Sequence, residues 1–210
     1  MLSQSRASYW ADWWEAHESY AFTVLAALLF GSLLGALALE AVDGATRVML
    51  LLLVKRFLNI EAARIPGAGP IFGAAFMQNV KVLGLLYVLG VSVAGLPLVL
   101  LAVLFRGFVL GFAVGFFLET LHGPCLVLAL IAVALPNAAI LPAWLAVGAG
   151  GLRFSWRLLV HGDVQRHRLG AEFYQMTAAA LLALGPVLVG SALEAAVAPA
   201  LLHWLAPWGL

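Results

Sequence analysis

Apolar residues in this chain come in long runs, separated by short patches in which charge, glycine and proline gather. A hydrocarbon core of about 30 Å needs roughly 20 consecutive apolar residues per spanning helix. The pattern predicts five spans, at residues 21–39, 80–105, 107–121, 125–149 and 174–197. The central block, residues 83–122, is the most informative of these runs. It is long enough for two spans folded back on each other, and the lone Arg106 marks the expected turn between them. Pro97 inside the first of the pair lacks a backbone donor and predicts a kink. Pro136 and Pro142 predict a bend or break in the fourth span.

The polar patches divide the rest. Residues 1–20 place Trp10, Trp13, Trp14 and His17 at helical spacing, which suits an amphipathic helix at the membrane–water boundary. Residues 40–79 form the longest polar-containing stretch and read as a segment outside the bilayer. Within it, 48–57 is too short to span, and lies on the surface or re-enters. Residues 150–172, with Arg153, Arg157, Arg166 and Arg168, form a compact basic loop. Positive loops favour the cytoplasm, so this loop predicts a cytoplasmic N-terminus for a five-span chain.

Composition narrows the function. The chain has 210 residues, 64% hydrophobic and only 10% charged, with mean hydropathy +1.05. Soluble domains carry about 25% charged residues, so this is a single integral membrane domain, an all-α polytopic helix bundle. A net charge of +1 provides no basic stripe for nucleic acid. One cysteine, Cys125, excludes an internal disulfide framework. No zincin, nucleophile-elbow or phosphate-loop motif occurs, and His161 and His167 fit no familiar zinc spacing, so neither catalysis nor a cofactor or metal is expected.

Two sets of residues remain as candidates. Gly31 and Gly35, and Gly107, Gly111 and Gly115, recur at four-residue spacing, the device by which two membrane helices approach closely. Such rows join spans within a subunit or join subunits, so a homodimer stays open. Lys81, Arg106, Glu119, His122, Asn137 and Glu194 lie within or beside spans. A charge near the bilayer centre costs at least about 2.5 kcal/mol on insertion scales, so each requires a reason. With the N-terminus inside, Glu40, Lys81, Glu119, His122 and Glu194 fall toward the outer ends, and Lys81 or His122 is the expected partner of Glu194. They form a polar cup for an ion, proton or partner, or simply snorkel to water. Asn137 beside Pro136 either lines an ion or substrate site or caps a kink.

The run Gly90-Val91-Ser92-Val93-Ala94-Gly95-Leu96-Pro97, followed by Phe105-Arg106-Gly107, Gly111-Phe112 and Gly115-Phe116, resembles the stage II sporulation protein M family. His122-Gly123, Pro136-Asn137 and Ser191-Ala192-Leu193-Glu194-Ala195 with Pro199 match it in order, over about residues 83–210. The stretch after Asn137 is less polar than the family tends to show. The resemblance implies a non-catalytic scaffold in the mother-cell membrane at the sporulation septum, with a cytoplasmic N-terminus. It implies recruitment of stage II sporulation proteins D and P, which degrade septal peptidoglycan during engulfment. A transport component, either an ion-coupled carrier or the permease of an ATP-driven exporter, is the alternative from the intramembrane polar groups.

Overall fold

A computed structural model describes the backbone of residues 2–50, 52, 68–161 and 166–205, with side chains described from residue 18 onward over most of that range. The described residues form five long helices and no strand: α1 (Leu2–Glu40), α2 (Ala68–Gly90), α3 (Gly95–Thr120), α4 (Pro124–His161) and α5 (Arg166–Leu205). Each carries a stretch long and apolar enough to cross a bilayer: Glu18–Glu40, Gly69–Gly90, Gly95–Thr120, Leu126–Val160 and Gly170–Val197. Apolar side chains such as Phe30, Val88, Leu101, Phe105 and Leu182 stand exposed around the bundle. Only a lipid environment makes that arrangement favourable, because water would penalise so much open hydrocarbon.

The segmentation of the middle of the chain differs from the sequence expectation. Spans were expected at 80–105 and 107–121 with a turn at Arg106; the turn lies instead at residues 91–94, between α2 and α3. It is tight: Ser92 N–H donates to the Leu89 carbonyl at 3.1 Å and Gly95 N–H to the Ser92 carbonyl at 3.0 Å. Arg106 is therefore inside a continuous helix, eleven residues after Gly95, or about 17 Å along an axis rising ~1.5 Å per residue. The predicted outer segment 40–79 is correspondingly shorter, because α2 already begins at Ala68. Pro97 does not kink a span, since it is the third residue of α3. Its missing N–H falls among the first four of a helix, which have no intrahelical acceptor in any case.

Two further boundaries shift. The fourth and fifth spans, expected at 125–149 and 174–197, belong to longer helices, so most of the basic loop 150–172 is helical and Arg153 and Arg157 lie on α4. The N-terminal helix is continuous with the first span. Its tryptophan face lies outside the described side chains, as does most of 48–57. Pro136 and Pro142 both sit inside α4, which continues through them.

The helices run alternately up and down. One end of the bundle gathers Glu40, Glu119 and Glu194, and the other gathers the 91–94 turn, Ser155 and Glu172. α1 packs mainly on α3, α2 on α5, and α4 touches all four others. The core, Val24, Leu86, Val99, Val147 and Val187 among others, is drawn from every helix.

Candidate functional site

The glycine rows meet each other. Gly31 and Gly35 of α1 lie against the backbone carbonyls of Leu104 and Phe108 on α3. Gly107 and Gly111 lie against the backbone of Leu28 and Ser32 on α1. A Cβ on Gly111 would sit 2.6 Å from Ser32 Cα, so no side chain fits there. Gly115 is looser, with a Cβ 3.4 Å from Ala36 Cα. Ser32 Oγ donates to the Leu28 carbonyl at 2.7 Å, keeping its own hydroxyl satisfied within the seam. All five candidate glycines thus lie in one intramolecular seam.

The candidate polar residues separate into three places. At one end, Glu119 pairs with Arg47 at 3.1 Å. The same guanidinium donates to the Leu39 carbonyl at 2.8 Å and the Val42 carbonyl at 3.2 Å. Arg47 therefore adds a second donor to the Leu39 carbonyl, which already accepts from the Val42 N–H, at the negative end of the α1 dipole, and ties it to α3. His122 is exposed nearby. Glu194, also exposed, forms no ion pair with Lys81 or His122 among the described residues. The charge it acts on is Arg106. Lys81 is not at an outer end: it lies midway along α2, exposed on the apolar flank.

The middle of the bundle holds Arg106. Its guanidinium carbon lies 4.5 Å from the centroid of the Trp144 ring on α4, within cation–π range. Trp144 is only 4% exposed. Arg106 Nε and Trp144 Nε1 are both buried and neither has a hydrogen-bond partner. Both residues line a small cavity whose other walls are Leu28, Leu86, Val103 and further aliphatic residues. Two turns along α4, Asn137 Nδ2 donates to the Val133 carbonyl at 2.7 Å, while its Oδ1 is buried and unpartnered. The asparagine thus backs onto its own helix beside Pro136, and Gly190 of α5 packs at that point: a Cβ there would lie 3.0 Å from the Pro136 carbonyl.

Sequence reading missed several residues that join helices. Asn79 Nδ2 donates to Ser191 Oγ at 3.3 Å, both buried, linking α2 to α5. Thr177 donates its single hydroxyl proton to the Phe173 carbonyl at 2.8 Å, so Tyr87 is the donor in the 2.9 Å contact between the two hydroxyls. Ser155 Oγ, fully buried, reaches the carbonyls of Gly90 and Ser92 at 2.8 and 3.0 Å and clamps α4 to the α2–α3 turn. Glu172 of α5 pairs with Arg157 and, at 3.8 Å, with Arg153. For Ser155, Thr177 and Ser191 the only local signal was a small polar residue within an apolar run, and Glu172 stood unremarked within the basic segment 150–172.

The stage II sporulation protein M family matches residues 22–199, which includes the apolar stretch of all five helices almost entirely. This chain belongs to that family. Membership makes it a sporulation-related, multi-pass membrane protein. No curated protein and no solved structure matches it.

Proposed function

We propose that this family member is a non-catalytic membrane scaffold that holds peptidoglycan-degrading enzymes at the septal membrane during engulfment. The observation that carries the reading is the family match over nearly the whole bundle, from residue 22 to 199. Partners of the kind of stage II sporulation proteins D and P are the proposed cargo. A mother-cell septal location with a cytoplasmic N-terminus is the proposed placement. The internal packing supports this reading, because close contacts and buried hydrogen bonds tie all five helices into one body. A rigid body can localise an enzyme without moving anything across the bilayer. The test is co-purification from detergent with the two lytic proteins, using the native chain and a chain with residues 48–67 replaced. Recovery with the native chain and loss with the replacement is expected. Recovery of neither enzyme with the native chain ends the scaffold reading.

The unpartnered Arg106 and Trp144 donors in mid-bundle favour one second reading, a transport component. A scaffold predicts that Arg106→Gln and Glu194→Gln leave enzyme recovery unchanged. A carrier predicts that both abolish function while replacement of 48–67 does not.

A further inference from the structure

α2 turns two polar side chains toward lipid. Its inward face is Asn79, Leu83, Leu86 and Gly90, all buried, with Asn79 bonded to Ser191 of α5. The opposite face, at Met77, Gln78, Lys81, Gly84, Leu85 and Val88, is exposed along a single helical stripe. Met77, Leu85 and Val88 suit hydrocarbon; Gln78 and Lys81 do not. Among the described residues neither of these two makes a hydrogen bond or an ion pair.

Lys81 lies too deep to reach water. It is nine residues before Gly90 and twelve after Gly69, the ends of its apolar stretch. At ~1.5 Å per residue those ends are about 14 and 18 Å away. A lysine stem of four methylenes reaches only about 6 Å. Packing gives the same depth: Gly90 lies against Gly151 of α4, which runs parallel to α2. Nine residues back, Lys81 is level with Pro142, near the middle of Leu126–Val160. A charge at mid-bilayer ordinarily faces a bundle interior, a watery cavity or a partner. Within this chain Lys81 faces none of them.

Whatever covers Lys81 must bring an acceptor to the middle of the bilayer. Lipid head groups stay at the surface. A second copy of this chain supplies no acid at that depth, because every acidic residue in the sequence lies outside the five apolar stretches or within three residues of an end. A lipid-surrounded segment must itself be helical. The occupant that remains is a helix of another protein with a carboxyl group near its middle. The face suits a helix, since Gly73 and Gly84 are exposed and have open space where a Cβ would go, so a second backbone can approach closely.

We propose that the exposed face of α2 docks the membrane-anchor helix of a partner protein, with Lys81 pairing with a mid-helix carboxyl group and Gln78 bonding beside it. The identity of the partner rests on the scaffold reading, in which it is the anchor of a recruited enzyme. The probe is a synthetic leucine–alanine transmembrane peptide with one central glutamate, compared with versions bearing glutamine or leucine there. The full chain, with Cys125→Ala and a bimane fluorophore on Leu85→Cys, is placed in vesicles of phosphatidylcholine brominated midway along its acyl chains. Bromine is expected to quench the fluorophore in the chain alone, and the glutamate peptide to relieve the quenching saturably. Half-relief is expected at about tenfold less glutamate peptide than leucine peptide. Lys81→Met should remove that advantage and Lys81→Arg keep it. An unquenched fluorophore in the chain alone overturns the proposal, because a second copy or another segment of this chain then already covers the face. Equal relief by the three peptides, or an advantage that survives Lys81→Met, also overturns it. The two readings fail separately. Peptide selectivity without recovery of the lytic proteins from detergent ends the scaffold reading alone, and their recovery without peptide selectivity ends this one alone.

Discussion

Single atoms decide where this bundle is intolerant. Gly111→Ala places a methyl group against the Ser32 backbone, whereas Gly84 and Gly185 have open space where a Cβ would go. Overpacking against backbone costs typically 1–3 kcal/mol, so Gly111→Ala is expected to lower the unfolding temperature clearly in detergent. Gly84→Ala and Gly185→Ala should stay within about 0.5 kcal/mol of the native chain, as unstrained substitutions do. Gly115→Ala, in ordinary contact, should resemble the latter pair. Equal destabilisation at Gly84 and Gly111 would remove the close-packed seam as an explanation. Ser155 is the other sensitive atom. Ser155→Ala leaves the Gly90 and Ser92 carbonyls without their buried donor, a loss of about 1–3 kcal/mol, while Ser155→Thr keeps the hydroxyl but must fit a methyl group where nothing is exposed.

At the scale of elements, the number of helices was legible in the sequence and their boundaries were not. Apolar run length is a bulk property, so five spans could be counted. The turn at 91–94 could not be found, because Val91, Val93 and Ala94 are as apolar as a helix interior. Arg106 looked like a turn because charge is normally excluded from spans; here an indole face and a cavity receive it. The first turns of α2 were missed because Gln78, Asn79 and Lys81 dilute its hydropathy, although Asn79 is turned inward to Ser191. The glycine rows were visible as packing devices, but spacing alone does not name the partner helix. Arg47 carries a prediction at this scale. It joins the last turn of α1 to Glu119 on α3 through a pair that is more than a third exposed, and such pairs are worth about 0–1 kcal/mol. Arg47→Ala should therefore cost little stability. It should instead raise amide exchange just past the end of α1, where the Val42 carbonyl loses its side-chain donor and the Leu39 carbonyl keeps only the Val42 N–H. Unchanged exchange there would show the cap to be idle.

For the whole molecule, five membrane-crossing helices place Thr46 and Val93 on opposite sides of the bilayer. In a Cys125→Ala background, cysteines at these two positions should react with an impermeant maleimide from opposite faces of oriented vesicles. The expected hairpin with its turn at Arg106 would instead have made residue 106 reactive from one face. A cysteine at 106 is expected to stay unlabelled from both. Labelling of 46 and 93 from the same side would refute the helix order. The exposed apolar girdle has a further consequence: the bundle needs lipid or detergent on nearly every flank, so a partner with a single anchor helix has several places to dock.

The pairing of helices also sets a timetable for synthesis. α1 finds its main partner not in the next helix made but in α3, and α2 shares almost no contact with α1. The amide of Asn79 enters the membrane with α2, yet its hydroxyl partner Ser191 follows 112 residues later. At about 5–20 residues per second of translation, that group waits roughly 6–20 s within the bilayer before its hydrogen bond can form. Until the last helix arrives, the nascent chain holds an amide with no native acceptor in hydrocarbon. A ribosome stalled before α5 would therefore leave four inserted helices with the α1–α3 seam able to form but the Asn79 amide without its native acceptor.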